Sequence, residues 1–381
     1  MVKMVESLTW LEISQPALLS NLRQFRKILD KRVKIMAVVK ANAYGHGIRE
    51  VAQIVFPQVD WFGVNSLEEG MILRQIEIKQ PILVLGSLSP LSLAEAIKND
   101  LSFVVFNLKT VKKACQEAKK LSRKAKVHLK VETGTNRLGV AGKELVQLAK
   151  FCSQQKEIFL EGIYTHYANI EDTLDPDFAQ EQLQKFKEAV QLIEDEGIEI
   201  PIKHTACSAT AILFKSTYFD LIRLGIGLYG LWPSRETKVS ALEKEIKIKL
   251  KPALTWKTRI AQIKKIKKGE TVGYGRTFTT KRTTKIAILP IGYGDGYDRK
   301  LSNQGRVLIK SRFAPVIGRV CMNMIMVDVT DISRVKIEDE VVLLGKQGRE
   351  EITAEELAQK IGTINYEVVT RINPLIPRKV V

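Results

Sequence analysis

The sequence predicts an α/β protein: an N-terminal (β/α)8 barrel followed by a mostly antiparallel β C-terminal domain. Three observations carry that prediction. Apolar runs alternate with amphipathic helical patterns from residue 34 to 230, the order that builds a parallel sheet flanked by helices. From about residue 240 the pattern changes to period-two alternation, as in half-exposed strands. The chain has 381 residues, more than a single core usually holds. The predicted domains are 1–240 and 241–381.

Eight strands are predicted in the first domain: Ile35–Lys40, Trp61–Asn65, Ile82–Leu85, Phe103–Phe106, Val127–Val131, Leu160–Tyr164, Ile202–Thr205 and Leu221–Leu224. Between them lie helical patterns such as Leu91–Lys98, Leu108–Leu121 and Asp177–Glu196. Asp175-Pro176 supplies an N-cap and a first-turn proline for the last of these. A doubly wound sheet is the rival, but no Gly-x-Gly-x-x-Gly turn follows the first strand. In the second domain Leu254–Ile260, Ile286–Ile291, Ala314–Ile317, Ile325–Val329 and Val341–Leu344 read as strands. One helix, Thr353–Ile361, starts with the capping box Thr353-Ala354-Glu355-Glu356.

Composition narrows the function classes. With 45% hydrophobic and 27% charged residues the chain reads as an ordinary soluble protein. It has no run long enough to span a membrane and no apolar signal-peptide core, which predicts a cytoplasmic protein. Four scattered cysteines (Cys115, Cys152, Cys207, Cys321) fit neither a disulfide framework nor a metal site. The net charge of +18 favours anionic ligands. Its lysines are dispersed, however, and the densest run, Lys264-Lys265-Ile266-Lys267-Lys268, reads as a solvated strand end. No nucleic-acid partner is expected.

In such a barrel, chemistry collects at the C-terminal strand ends. The first carries Lys40, at the end of the apolar run Ile35-Met36-Ala37-Val38-Val39, then Tyr44 and two glycines in a tight polar turn. Desolvation disfavours an ammonium there, and a neutral lysine attacks carbonyls; a snorkelling lysine is the plain alternative. The fifth end gives Lys130, Glu132 and Arg137, the sixth His166, the seventh His204 and Ser208, the eighth Arg223, Gly225 and Ile226. Singly, His166 reads equally as a core histidine, Arg137 as an ion-pair partner and Ser208 as the N-cap of a helix Ala209–Lys215. Their shared location favours function. Ser208 with Gly225 and Ile226 forms a candidate phosphate site. A Schiff-base lysine beside phosphate suggests pyridoxal phosphate.

Val38-Val39-Lys40-Ala41-Asn42-Ala43-Tyr44-Gly45-His46-Gly47 closely resembles the cofactor-lysine motif of bacterial alanine racemases. The resemblance runs nearly end to end and includes Asn136-Arg137-Leu138-Gly139, Gly273-Tyr274-Gly275-Arg276-Thr277-Phe278 and Gly318-Arg319-Val320-Cys321-Met322. It implies an L-alanine/D-alanine racemase that works through an external aldimine of pyridoxal 5′-phosphate and supplies D-alanine for peptidoglycan. It also implies a homodimer with shared active sites. Lys40 would hold the cofactor and act as base on one face. Tyr274 of the second domain would serve the other face across the dimer, where the second domain supplies contacts. Tyr44, Ser208, Gly225, Ile226 and Tyr366 would hold the phosphate, and Arg137 the phenolic oxygen. Lys130, carbamylated in many members, would orient Arg137. His166 would lie against the ring, and Arg223 would face the pyridine nitrogen. Met322 backbone would help bind the substrate carboxylate.

Arginine at that nitrogen stays charged and disfavours its protonation, which favours reprotonation at Cα over transamination. A free tyrosine ionises near pH 10, about 4 kcal/mol from ready ionisation at neutral pH. Nearby cations, Arg223 and His166 among them, are expected to assist Tyr274. Asn323 and Glu132 stand where Asp is common in the family, and Cys207 where Asn is common. Arg299 with Asp172 or Glu171 are candidates for an outer entrance. A single-barrel cofactor carrier would lack Tyr274, and barrel decarboxylases need no second base. A broader-specificity or serine racemase is the competing assignment, since the same proton chemistry would serve it.

Overall fold

Strand β1 (Thr9–Ile13) finds its partners some 240 residues away in sequence, in the C-terminal part of the chain. The structure, a computed structural model, describes residues 7–170 and 176–381. It divides into two compact units that no single cut separates. One comprises Met1–Pro16, Tyr44–Glu50 and Pro252–Val381; the other comprises Ala17–Ala43 and Val51–Lys251.

The larger unit is the barrel. Its strands are β2 (Lys34–Val38), β3 (Trp61–Val64), β4 (Ile82–Val84), β5 (Ser102–Val105), β6 (Ala125–Lys130), β7 (Ile158–Tyr164), β8 (Ile202–His204) and β9 (Leu221–Leu224). All are parallel, ordered β8-β7-β6-β5-β4-β3-β2-β9. The gap between β8 and β9 is bridged by Asp220 N–H to Lys203 O and Arg223 N–H to Ala206 O, both 3.0 Å. Every predicted barrel strand is present, with ends that differ by at most two residues. The strands β3, β4 and β5 are buried along their whole length, which is why they read as unbroken apolar runs. Two of the intervening helices start on side-chain caps, Ser66 before Leu67–Gln75 and Asn107 before Leu108–Lys120. The helix Asp177–Glu194 follows Pro176; its predicted Asp175 cap lies outside the described residues, as do Glu171 and Asp172.

In the other unit, β10 (Leu254–Arg259), β15 (Arg306–Ile309), β16 (Arg312–Pro315), β18 (Glu340–Gln347) and β20 (Arg378–Val380) join β1 in the order β16-β15-β18-β10-β1-β20, with β19 (Glu350–Ile352) on β18. A three-stranded sheet follows the order β11-β14-β17 (Gln262–Ile266, Thr284–Leu289, Ile325–Asp328). A hairpin pairs β12 (Thr271–Val272) with β13 (Phe278–Thr279). All of these ladders are antiparallel except β1 with β20. The lysines of the densest basic run sit on the exposed strand β11 and the turn after it. The helix Ala354–Ile361 is capped by Thr353, whose Oγ1 accepts from Glu356 N–H at 3.1 Å. No helix among the described residues is long and apolar enough to cross a membrane.

Candidate functional site

The segment after β2 departs from its sequence reading. The strand stops at Val38, and Lys40 opens a left-handed turn instead of closing the strand. Ala41, Asn42, Ala43 and Tyr44 all have φ of 52–54°, a conformation costing L-residues about 1–2 kcal/mol each. Two contacts hold the turn: Ala43 N–H bonds Val39 O at 2.8 Å, and the Glu69 carboxylate accepts from Ala41 N–H at 2.6 Å and Asn65 N–H at 2.7 Å. The turn is also less polar than its sequence suggests, because Ala43 through Ile48 are buried. Gly45 is required there: a Cβ would lie 1.9 Å from Val369 O.

Burial lowers the Lys40 pKa, the cations Arg137 and Arg223 lower it further, and Glu69 partly opposes them. Lys130, only 5% exposed, is pushed down to about 8 by burial and then by Arg137 and Arg223. Arg137 itself is exposed. Its loop is shaped by Glu132, whose carboxylate accepts from Gly134 N–H at 2.6 Å and Arg137 N–H at 3.3 Å. Burial opposes ionisation of Glu132, but these backbone donors hold it below the ordinary range. Thus Glu132 braces the loop, and an unmodified Lys130 repels Arg137. His166 corrects the expectation that it is a cation. Burial and then Arg223 hold its imidazole well below the usual histidine range, so it is neutral at neutral pH.

Arg223 is 5% exposed, and its terminal nitrogens are fully used. Nη1 donates to His204 Nδ1 at 2.9 Å and His204 O at 3.1 Å. Nη2 donates to Thr165 O and Thr205 O, both 2.9 Å, and to His166 Nδ1 at 3.2 Å. Its Nε–H has no partner among the described residues. Ser208 also differs from its sequence reading: it is the first residue of the helix Ser208–Leu213, and Cys207 is the N-cap. The Ser208 Oγ accepts from Gly225 N–H at 3.0 Å and Gly227 N–H at 3.2 Å. With its lone pairs so engaged, the hydroxyl hydrogen is left to donate. The N–H of Ile226, between those two glycines, has no partner among the described residues.

The other unit carries the remaining candidates. Tyr44 and Tyr366 face one another, ring centroids 6.1 Å apart. Tyr274 stands 72% exposed at the tip of the β12–β13 hairpin, between Gly273 and Gly275 with φ of 72° and 69°. A Cβ on Gly273 would lie 2.8 Å from Met326 Cε, and one on Gly275 3.0 Å from Arg319 Cζ, so the glycines let the loop close on its neighbours. Met322 is exposed, and its O accepts from Gly294 N–H at 2.8 Å. Its own N–H has no partner among the described residues. Asn323 Nδ2 donates to Asp295 Oδ2 at 3.3 Å, and Arg299 lies exposed in a short 3-10 turn.

Sequence reasoning did not assign roles to Glu69, Thr165, Thr205 or His204, which hold Lys40's turn and Arg223. Glu69 had no signal, being one acid of a helix's first turn. His204 had one: it ends the seventh barrel strand, beside the other strand-end candidates.

The family model described as the alanine racemase N-terminal domain matches residues 13–233, and that of the C-terminal domain matches 253–380. An alanine racemase of Halothermothrix orenii is 44% identical over 380 residues, covering 100% of this chain and 98% of that protein. Alanine racemase 1 of Caldanaerobacter subterraneus subsp. tengcongensis is 40% identical over 376 residues, covering 97% and 94%. Among solved structures, the alanine racemase of Clostridium difficile 630 superimposes with a TM-score of 0.93 at 35% identity, covering 99% of this chain and 96% of that one.

Proposed function

The chain belongs to the alanine racemase family, and on that premise we propose how its residues invert alanine with pyridoxal 5′-phosphate held on Lys40. The activity is that of an amino-acid racemase, an isomerase interconverting L- and D-alanine.

Three features of the chain fit the cofactor. Lys40 has the depressed pKa that a carbonyl-attacking amine needs. Ser208 O–H and Ile226 N–H are donors left over for a phosphate, with Gly225 closing the same turn. The observation that carries the reading is Arg223: its four terminal N–H groups are consumed by the barrel, leaving Nε–H for a ring nitrogen. Arg137 would meet the phenolic oxygen, His166 the ring face, and Tyr44 and Tyr366 the phosphate. When bound, the cofactor supplies a conjugated sink for the electron pair released as the α-hydrogen of alanine leaves.

The residues then divide the proton work. Lys40 would hold or release a proton at Nζ on one face of Cα. Tyr274 of the partner subunit does the same at Oη on the other face, in a homodimer with shared sites. The Met322 N–H and Arg137 receive the substrate carboxylate. With His166 neutral, the charges that favour a tyrosinate are Arg223, Arg137 and unmodified Lys130. Arg223 remains a cation that does not give up its proton, so at the cofactor's nitrogen it would donate a hydrogen bond without transferring a proton, which favours reprotonation at Cα. The same reading makes the protein cytoplasmic, a source of D-alanine for peptidoglycan. Nothing among the described residues favours serine over alanine.

Carbon dioxide adds to a neutral amine and releases a proton, so Lys130 is suited to carbamylation. The product replaces a buried cation with an anion beside Arg137 and Arg223, turning repulsion into attraction. Acetic anhydride tests the state of the amine, because it too needs the neutral form and does not itself titrate. In carbon-dioxide-free buffer, modification of Lys130 read by peptide mass is expected to rise with a midpoint near pH 8. Exposed lysines titrate about two units higher. A Lys130 profile matching theirs would contradict its depressed pKa.

Loss of optical rotation across a panel of L-amino acids, with and without added pyridoxal 5′-phosphate, tests the whole reading. L-Alanine is expected to racemise fastest and only with cofactor. Rotation lost from L-serine faster than from L-alanine would assign another substrate, and cofactor-independent loss would remove pyridoxal phosphate.

A further inference from the structure

Arg223 can only donate hydrogen bonds, and that fixes the protons on three buried residues behind it. The His204 Nδ1 facing Arg223 Nη1 must be an acceptor, so the His204 proton is on Nε2. That Nε2–H points at His128 Nδ1, 3.0 Å away, which must accept in turn. His128 is then protonated on Nε2, which lies 3.2 Å from Glu161 Oε2. Glu161 closes the chain as a carboxylate and also accepts from Ser102 Oγ. Burial opposes its charge, but the bonds from His128 and Ser102 hold its pKa below the ordinary range.

The fold makes room for this chain. The β6–β7 pairing slips register between Val127 and His128. Opposite His128 stands Gly162, where a Cβ would lie 2.3 Å from His128 Nδ1. Tyr164 stacks on His204 at 4.8 Å and 7°, fixing the ring plane. Both imidazoles are fully buried. Two histidines and a carboxylate inside a barrel cost desolvation that aliphatic residues would avoid.

We propose that Glu161, acting through His128 and His204, is a positioning residue for Arg223: its acceptor oxygen sets the direction of the relay, and that direction turns the Arg223 Nε–H toward the site. The inference rests on the reading of Arg223 as the partner of the cofactor nitrogen. Removing the acceptor lets His128 move its proton to Nδ1, where it meets the His204 Nε2–H head on. His204 then shifts its own proton to Nδ1, facing a donor of Arg223, and the guanidinium loses its anchor.

The chain has only four histidines, so its imidazole nitrogens can be assigned one by one. Nitrogen-15 histidine spectra of the purified protein are expected to show His128 and His204 both protonated at Nε2. Glu161→Gln keeps an acceptor oxygen, so it should keep that pattern and a kcat within about threefold of wild type. Glu161→Met should move the His204 proton to Nδ1 and lower kcat about tenfold or more, with KM for alanine little changed and the cofactor absorbance shifted. If Glu161→Met does not fold, Gly162→Ala supplies a second disruption, displacing His128 while leaving Glu161. Wild-type His204 protonated at Nδ1 would overturn the proposal without any variant. So would a disrupting variant with the wild-type nitrogen pattern and kcat. The nitrogen pattern is read without substrate, so a wild-type protein that fails to racemise alanine counts against the proposed function and leaves the relay to be judged by its spectra.

Discussion

Lys40→Ala should lower racemisation about a thousandfold or more and abolish the visible absorbance of lysine-bound cofactor. Two losses combine in that one substitution. The amine that forms the covalent link disappears, and so does the proton carrier on one face of Cα. The turn itself should survive, because it is held by backbone bonds from Ala41 and Ala43 to Glu69 and Val39, with no part played by the lysine head group. Far-ultraviolet circular dichroism should therefore match the wild type. An unchanged cofactor spectrum in the variant would sink the assignment of Lys40. Free amines of small size added to the variant should restore part of the activity, since they replace the missing base without the tether.

Tyr274→Phe should leave the cofactor bound while cutting racemisation about a hundredfold to ten-thousandfold. Only the hydroxyl is removed, from a side chain 72% exposed at the end of a hairpin, so stability should scarcely change. The two enantiomers have equal free energy in water, so kcat/KM in the two directions must fall by the same factor. Exchange of the α-hydrogen with solvent deuterium separates the two faces. With Lys40 intact, one enantiomer should still exchange with retention of configuration, and the other should exchange slowly. Near-normal turnover, or equal loss of exchange from both enantiomers, would remove Tyr274 as the base of the second face.

Much of this architecture was legible because burial leaves a direct mark on sequence. Strands buried on both faces, such as β3 and β4, gave unbroken apolar runs, and the alternation of strand with helix placed the rest of the eight. The N-cap at Thr353 and the alternation of Leu254–Arg259 were equally plain; Glu356 does not complete the predicted box, because its carboxylate pairs with Arg306. Strand β1 was not assignable to the C-terminal sheet, because its ladder partners at Leu254–Thr258 and Arg378–Val380 are set by long-range pairing. The left-handed turn after Lys40 was hidden for a different reason. Of Ala41, Asn42, Ala43 and Tyr44, only Asn42 has any preference for positive φ, and the conformation is imposed from outside by Glu69.

At the site, the residue types were readable and their states were not. Motif and strand-end position picked out Lys40, Arg137, His166, Ser208 and Arg223. The neutrality of His166 depends on burial beside Arg223, Lys130 and Arg137, which meet only in the folded barrel. Ser208 looked like an N-cap, yet its hydroxyl turned to Gly225 and Gly227, seventeen and nineteen residues on. The relay behind Arg223 joins side chains from strands β6 to β9, so no local spacing announces it.

A two-base pair drawn from different subunits makes a specific prediction for complementation. Lys40→Ala and Tyr274→Phe subunits, each inactive alone, are mixed and allowed to exchange. If sites are shared, each heterodimer holds one site with an intact Lys40 and an intact Tyr274. Random pairing makes about half of the dimers mixed, with one good site in two, so activity should recover to about a quarter of wild type. Verified subunit exchange with no recovered activity would contradict a Tyr274 that acts across the interface.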